Sequence, residues 1–399
     1  MSASGELTTK PFGAKWAFGG KWLSSLVGGL TVWLCARIAV TSVAVASHAL
    51  SPDHDAFFDR QNWFVSLFFN WDSRYFAAIA TSGYFGSGSS ERLQAFFPGY
   101  PLTVRFIVGL GNSSPTPNQI SVAMCLVAFA SSAAASVVLW RLVEADYGSR
   151  IAGAAVVLFA FGPYSLFLQA SYSESLFLAF AIGAWWAVRT DRWVLGGILA
   201  AIASVARING VFLVLALVVM FVAQRGRDHR PYLGRAFGLI AVGLSGVAAY
   251  FAYLLAATGN VFAWFDAQAV GWHRTLNWPW VTFANTADEA LYSHTVDHRF
   301  QSVLDITFAV LAVVAVVVLV RKKQWAAALF VAITIGSLMT SNTYLSLART
   351  TLVLFPLAIL MASALDKPRW RWAYWAFLTG GVVILIINVH EFTLGGWTG

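Results

Sequence analysis

Apolar residues run along this chain in long blocks, separated by short basic segments and by two longer stretches of mixed character. Blocks of about 20 apolar residues, each long enough to cross a bilayer as a helix, recur from Leu23 to Val389. They predict spans near 23–49, 118–140, 151–170, 175–189, 193–206, 209–224, 236–257, 303–320, 324–341, 350–365 and 372–390, about eleven in all. The blocks are evenly spread and show no internal repeat, so the expected fold is an all-α polytopic membrane protein, one membrane-embedded domain over residues 1–399. The first block is too long for the core of a cleaved leader and reads as a retained span behind Lys10, Lys15 and Lys21.

Composition removes the soluble alternative. Of 399 residues, 58% are hydrophobic and only 11% charged, against about 25% charged in ordinary soluble chains. The net charge of +8 would suggest nucleic acid in a soluble protein. Here the cations sit in short loops between spans, where membrane topology accounts for them. With the N-terminus in the cytoplasm, seventeen Lys and Arg fall on inside segments and eight on outside ones, with Arg37 inside the first span. That bias places the N-terminus inside and the two long mixed segments, 51–117 and 258–302, outside the cytoplasm. All eight outside cations are Arg, whose planar fork suits phosphate and carboxylate. Trp63–Phe69 and Leu102–Leu110, both half apolar, are expected to be amphipathic helices at the membrane surface. Cys35 and Cys125 lie in apolar blocks, which argues against a disulfide or a metal site built on them.

The orientation gathers the polar motifs on one face. Asn70-Trp71-Asp72-Ser73-Arg74-Tyr75 opens a helix, and Asp72 is either its N-cap, a surface partner of Arg74, or a general base for an attacking hydroxyl. Phe96-Phe97-Pro98-Gly99-Tyr100-Pro101 is a rigid corner at the membrane edge. Tyr172-Ser173-Glu174-Ser175 puts an acid at the end of an apolar run, where it either caps a helix or faces a cavity. Arg207, in Ala206-Arg207-Ile208-Asn209-Gly210, either snorkels or meets a lipid phosphate. Gln268, Trp272 and Arg274 combine an amide, an aromatic plane and a cation, a set suited to sugar or phosphate. Arg349 ends a further span. Asp266, His273, His294 and His298 lack tight ligand spacing, so no metal site is expected. Asp72, Glu174, Arg207, Gln268, Arg274 and Arg349 therefore predict one shared outer-face site.

At these residues the chain resembles the PIG-V family, the GPI mannosyltransferase 2 type with its actinobacterial members. The matching runs are W-D-x-R-Y-x-x-I-A-x-x-G-Y from Trp71 to Tyr84, F-F-P-G-Y-P from Phe96, and Y-S-E-S-L-F from Tyr172. A-S-V-A-R-x-N-G at Ala203–Gly210, A-Q-x-x-G-W-x-R at Ala267–Arg274, and S-x-x-R with a later F-P at Ser346–Pro356 complete the set. The resemblance implies a GT-C glycosyltransferase fold, a catalytic acid at Asp72, and mannose drawn from a polyprenyl-phosphate-mannose donor. It implies an inverting transfer to a glycolipid, lipoglycan or protein acceptor at the extracytoplasmic face of the plasma membrane; no cofactor beyond the lipid-linked donor is expected, and the sequence leaves metal dependence open. Arg74, Tyr75, Glu174, Arg207, Asn209, Gln268, Trp272, Arg274 and Arg349 are the candidates for holding substrate and donor phosphate. Two other readings stand beside this one: a lipid or sugar transporter or flippase, and a non-catalytic subunit of a glycosylation complex. Transporters place polar residues mid-membrane on broken helices in paired repeats, whereas here the polar residues favour one face.

Overall fold

The structure, a computed structural model, describes residues 21–51, 62–86, 90–111, 115–225 and 231–399. Lys10, Lys15, Arg60, Arg227 and Arg230, counted in the charge bias, lie outside the described residues. The described residues are helical and contain no strand. The helices are α1 (Lys21–Leu50), α2 (Trp63–Ser66), α3 (Ser73–Ser82), α4 (Gly99–Gly109), α5 (Pro117–Ala160), α6 (Glu174–Arg189), α7 (Trp193–Ala206) and α8 (Asn209–Arg225). There follow α9 (Pro231–Thr258), α10 (Ala263–Trp272), α11 (Pro279–Tyr292), α12 (Val296–Arg321), α13 (Trp325–Met339), α14 (Leu347–Thr350), α15 (Phe355–Ala362) and α16 (Arg371–Thr393).

Among the described residues, five helices are long and apolar enough to cross a membrane, in α1, α5, α9, α12 and α16. A sixth is possible if Leu347–Val353 and Phe355–Asp366, bent by 76°, count as one span. Three of the other expected spans are the shorter apolar helices Trp193–Ala206, Asn209–Gln224 and Trp325–Met339. The chain is thus a multi-pass all-α membrane protein, although eleven full-length spans are not what the helix lengths give.

Two departures have local causes. The expected spans at 118–140 and 151–170 are one helical run, α5, interrupted at Gly148 with φ 79°. That run starts firmly, with Pro117 in its first turn and a reciprocal Thr116–Gln119 capping box. It stops at Ala160 rather than near 170, because Gly162-Pro163 cannot continue it. The following 161–173 segment is irregular and buried, so its backbone must find partners within the protein. Arg37 of α1 supplies two of them. Fully buried, it donates to the carbonyls of Ala160 and Ser165, each at 2.9 Å. A cation at the exposed carbonyls of a helix C-terminus is the arrangement the helix dipole favours.

The helix ends form two faces. At one, Trp22 packs edge-on to Trp186, Arg189 pairs with Asp146, and Gln324 donates to Tyr147. At the other, the start of α3, the irregular segment, the α7–α8 turn, the end of α10 and α14 converge around one cavity. The corner before α4 is fitted against the α7–α8 turn. A Cβ on Gly99 would stand 2.7 Å from the Val205 oxygen and 2.9 Å from Ala206 Cα, a spacing only glycine allows.

Candidate active site

Asp72 stands at the start of α3, yet its carboxylate makes no capping hydrogen bond to that helix. The chain turns sharply before it. Trp71 has φ 52°, a conformation that a bulky residue adopts only when its surroundings hold it. They do so here: the Trp71 indole N–H donates to the Gly396 carbonyl at 2.9 Å, and Trp397 meets the ring edge-on at 5.2 Å. Asn70, buried, donates to the Phe392 carbonyl at 2.7 Å. Tyr172 completes the clamp. Its hydroxyl accepts from the Asp72 N–H and donates to the Asn70 carbonyl, both at 3.1 Å. Burial, then the charge of Asp72, holds this phenol protonated far above its usual range.

Freed from capping, the Asp72 carboxylate faces Arg349, whose Nη2 lies 3.4 Å from Oδ2. Arg349 also places Nε 3.2 Å from Glu174 Oε1, and Arg207 Nη1 approaches the same oxygen at 2.9 Å. Arg207 donates in addition to Ser173 Oγ at 3.0 Å. The guanidinium of Arg349 sits over the rings of Phe167 and Tyr172, at 4.8 and 5.3 Å from their centres, and donates to the Gly399 main-chain oxygen at 2.8 Å. Glu174 is the buried hub of the cluster, with its side chain 1% exposed, while Asp72 keeps 16% of its surface open. An acid so deeply placed needs its paired cations, since an isolated buried charge is very costly.

Arg274 differs from the other two arginines. It follows His273, whose φ of 51° turns the chain out of α10, and it donates to the Leu345 carbonyl at 3.3 Å. Among the described residues no carboxylate lies within ion-pair distance of it. Burial, followed by the charges of Arg349 and Arg207, lowers its pKa to about 10. Arg207 is lowered chiefly by burial, against the opposing pull of Glu174. Asp72 is raised above the usual carboxylate value, burial outweighing the downward pull of Arg349.

These groups line a cavity of about 510 Å³, a size suited to a small ligand. Asp72, Arg207, Asn209, Gln268, Trp272, Arg274 and Arg349 all line it. Glu174 stands behind its wall. Gln268 and Trp264 donate to the Ala95 carbonyl at 3.3 and 3.1 Å, which pins α10 to the Glu91–Ala95 turn. Two expected residues are not brought in. Arg74 is exposed and does not line the cavity, because two residues along a helix turn it about 200° from Asp72. Tyr75 stacks on Phe96 at 5.0 Å, behind the Phe96 and Trp272 side chains. Among the described residues no group of three His, Cys, Asp or Glu gathers as a metal set.

Other groups were not among the candidates, although Ser173 and Ser346 lie within two of the matching runs. Ser173, Ser346 and Trp397 line the cavity, and Trp397 comes from a Gly-rich segment with no motif. Asp305 accepts from the Ala348 N–H at 2.7 Å and so fixes the turn that carries Arg349. An acid inside an otherwise apolar span was its available signal.

Residues 30–228 match the family model described as Mannosyltransferase (PIG-V). GPI alpha-1,6-mannosyltransferase 2 of Cricetulus griseus is 34% identical over 148 residues, covering 35% of this chain and 29% of that protein. The Homo sapiens protein of the same name is 31% identical over 149 residues, and GPI mannosyltransferase 2 of Drosophila pseudoobscura pseudoobscura 28% over 172. The chain thus spans 29% of the length of the mammalian relatives and 37% of the fly one. Among solved structures, the Archaeoglobus fulgidus oligosaccharyltransferase in its apo form aligns with 97% of this chain and 57% of its own, at 12% identity and a TM-score of 0.44. The matched region holds the motifs that place Asp72, Glu174 and Arg207 around one cavity, and by that match the chain belongs to the PIG-V mannosyltransferase family.

Proposed function

We propose that this chain is a GT-C-type mannosyltransferase that takes mannose from polyprenyl-phosphate-mannose. The acceptor is a hydroxyl of a glycolipid, lipoglycan or protein, reached at the extracytoplasmic face of the plasma membrane. The observation that carries the reading is a partly open carboxylate, Asp72, on the wall of a cavity that also holds Arg274, an arginine with no carboxylate at ion-pair distance among the described residues.

In this mechanism an Asp72 oxygen takes the proton of the acceptor hydroxyl. The acceptor oxygen attacks the mannose anomeric carbon from the side opposite the phosphate. The bond from that carbon to the phosphate oxygen breaks, and its electron pair leaves with the polyprenyl phosphate. The anomeric configuration inverts, giving an α-mannoside from a β-linked donor. Charge grows on the departing phosphate, and in this reading Arg274 offsets it, with Arg349, beside Asp72, assisting. Arg207 is committed to Glu174 and acts by holding Glu174 and Arg349 in place. Gln268 and Trp272 supply an amide and an aromatic face for the sugar.

The test is transfer by the purified full chain in nanodiscs, with labelled polyprenyl-phosphate-mannose and mass spectrometry of the product. Asp72→Asn is expected to fold normally and lose roughly 10²- to 10⁴-fold in kcat. Near-normal turnover by that variant would remove Asp72 as the base. Labelled sugar crossing a proteoliposome with no glycoside formed would replace transfer by transport.

A further inference from the structure

A second cavity, of about 470 Å³, lies between α12 and the bent α14–α15 pair, with α16 and the end of α5 closing it. Its walls are almost wholly hydrocarbon, with Phe159, Phe308, Ala315, Leu360 and Met361 among them. Its charged groups, Lys322 and Lys367, meet the rim at one end with Ser363, beside Trp370. That end is far from Asp72. On α12, Asp305 binds the turn that carries Arg349, and Lys322 follows seventeen residues later, about 25 Å along the helix.

The two lysines are close enough to act on each other. Lys322 is held below the ordinary ammonium range by the apolar wall it lies along and then by the charge of Lys367. Lys322 Nζ donates to Ser363 Oγ at 3.2 Å. Among the described residues no carboxylate is within ion-pair distance of either lysine. Two like charges at the mouth of a hydrocarbon trough have no paired carboxylate among the described residues, and an anion with a hydrocarbon tail fits both features.

We propose that this groove holds an anionic phospholipid, with an acyl chain along α12 and α15 and its phosphate between Lys322 and Lys367, at the membrane face opposite Asp72. The donor's own lipid tail is a poorer occupant. A donor with its phosphate near Arg274 and Arg349 would bring only hydrocarbon to the lysines and leave their charge unmatched. The site is separate from the catalytic reading and holds whether or not that reading does.

The test uses the full chain in nanodiscs of phosphatidylcholine with a minor share of phosphatidylglycerol, followed by native mass spectrometry of the lipid retained. Wild type is expected to retain phosphatidylglycerol in preference. Lys322→Gln with Lys367→Gln should lower that retention about tenfold or more. Ala315→Trp should expel the lipid with both lysines intact. Arg321→Gln with Lys323→Gln, which alters exposed cations outside the groove, should leave the preference unchanged. Equal retention of the two lipids would overturn the proposal. So would a preference that survives the double lysine change, or one lost equally in the Arg321 and Lys323 pair, which would mark general surface attraction. Displacement of phosphatidylglycerol by polyprenyl phosphate in wild type but not in Ala315→Trp would assign the groove to the donor tail instead.

Discussion

Two influences pull the proton affinity of Asp72 in opposite directions: burial raises it, and Arg349 lowers it. Burial prevails, so a base at this position is half ionised above the ordinary carboxylate value of about 4. If Asp72 must be ionised to work, kcat/KM falls as pH drops through that raised pKa. Removing Arg349 takes away a lowering influence, so Arg349→Gln should move the acid limb to still higher pH. A pH–rate profile checks this, and a limb that stays put or moves down would contradict the electrostatics. Glu174 and Arg274 should separate stability from binding. Glu174 lies buried between two cations, and Glu174→Gln should cost roughly 3 kcal/mol of stability, the scale for breaking a buried ion pair. Arg274 holds no ion pair among the described residues, so Arg274→Gln should leave the unfolding temperature nearly unchanged while weakening donor use about tenfold or more in KM. Equal thermal loss in both variants would count against that division. The charged members of this cluster were legible because topology sorts Arg, Asp and Glu to one face. Their roles were not, because the partners of each charge come from other segments, 33 residues away for Arg207 and Glu174 and 277 for Arg349 and Asp72. Arg74 shows the converse: adjacency in a motif put it beside Asp72, and helix rotation turned it to the surface.

At the scale of elements, the two glycines that shape the backbone do so for different reasons, and alanine distinguishes them. Gly99 has a negative φ but faces the backbone of Val205 and Ala206 at under 3 Å. Gly99→Ala should therefore push the corner off the α7–α8 turn, costing roughly 1–3 kcal/mol and lowering transfer, because Arg207 is carried on that turn. Gly148 has open space around it and a φ of 79°. Gly148→Ala should cost about 1–2 kcal/mol through backbone strain alone, with kcat unchanged. Unfolding temperature and kcat measured together test the contrast, which fails if Gly99→Ala keeps full activity. The helices themselves were plain in the apolar blocks. Less visible was the stop at Ala160, since residues 151–170 read as one apolar block and only Gly162-Pro163 marks the break. The irregular stretch beyond it depends on Arg37, a residue whose sequence position within the first span gave no hint of which carbonyls it would meet.

For the molecule as a whole, the decisive fact is that one cavity draws its wall from α3, the α7–α8 turn, α10, α14 and the segment after α16. Each of these lies at the same end of its helix, so a single orientation in the membrane serves all of them. Hydrophobic blocks and charge bias were enough to anticipate this sidedness. They could not anticipate the segment Leu394–Gly399, which carries no apolar block and no charge, yet closes the wall through Trp397 and holds the strained Trp71. The sidedness itself can be measured. Leu276 lines the cavity and is 88% exposed, whereas Lys323 is exposed at the far end of α12. With Cys35 and Cys125 replaced, Leu276→Cys should react in intact cells with a maleimide that cannot cross membranes. Lys323→Cys should react only after the membrane is opened. This outcome follows from the seventeen-to-eight bias of cations. The reverse pattern would place the cavity in the cytoplasm, where the acceptors of the proposed reaction would have to be sought instead. Labelling of both sites in intact cells would mean that the chain inserts in two orientations, and the charge bias would then have lost its force.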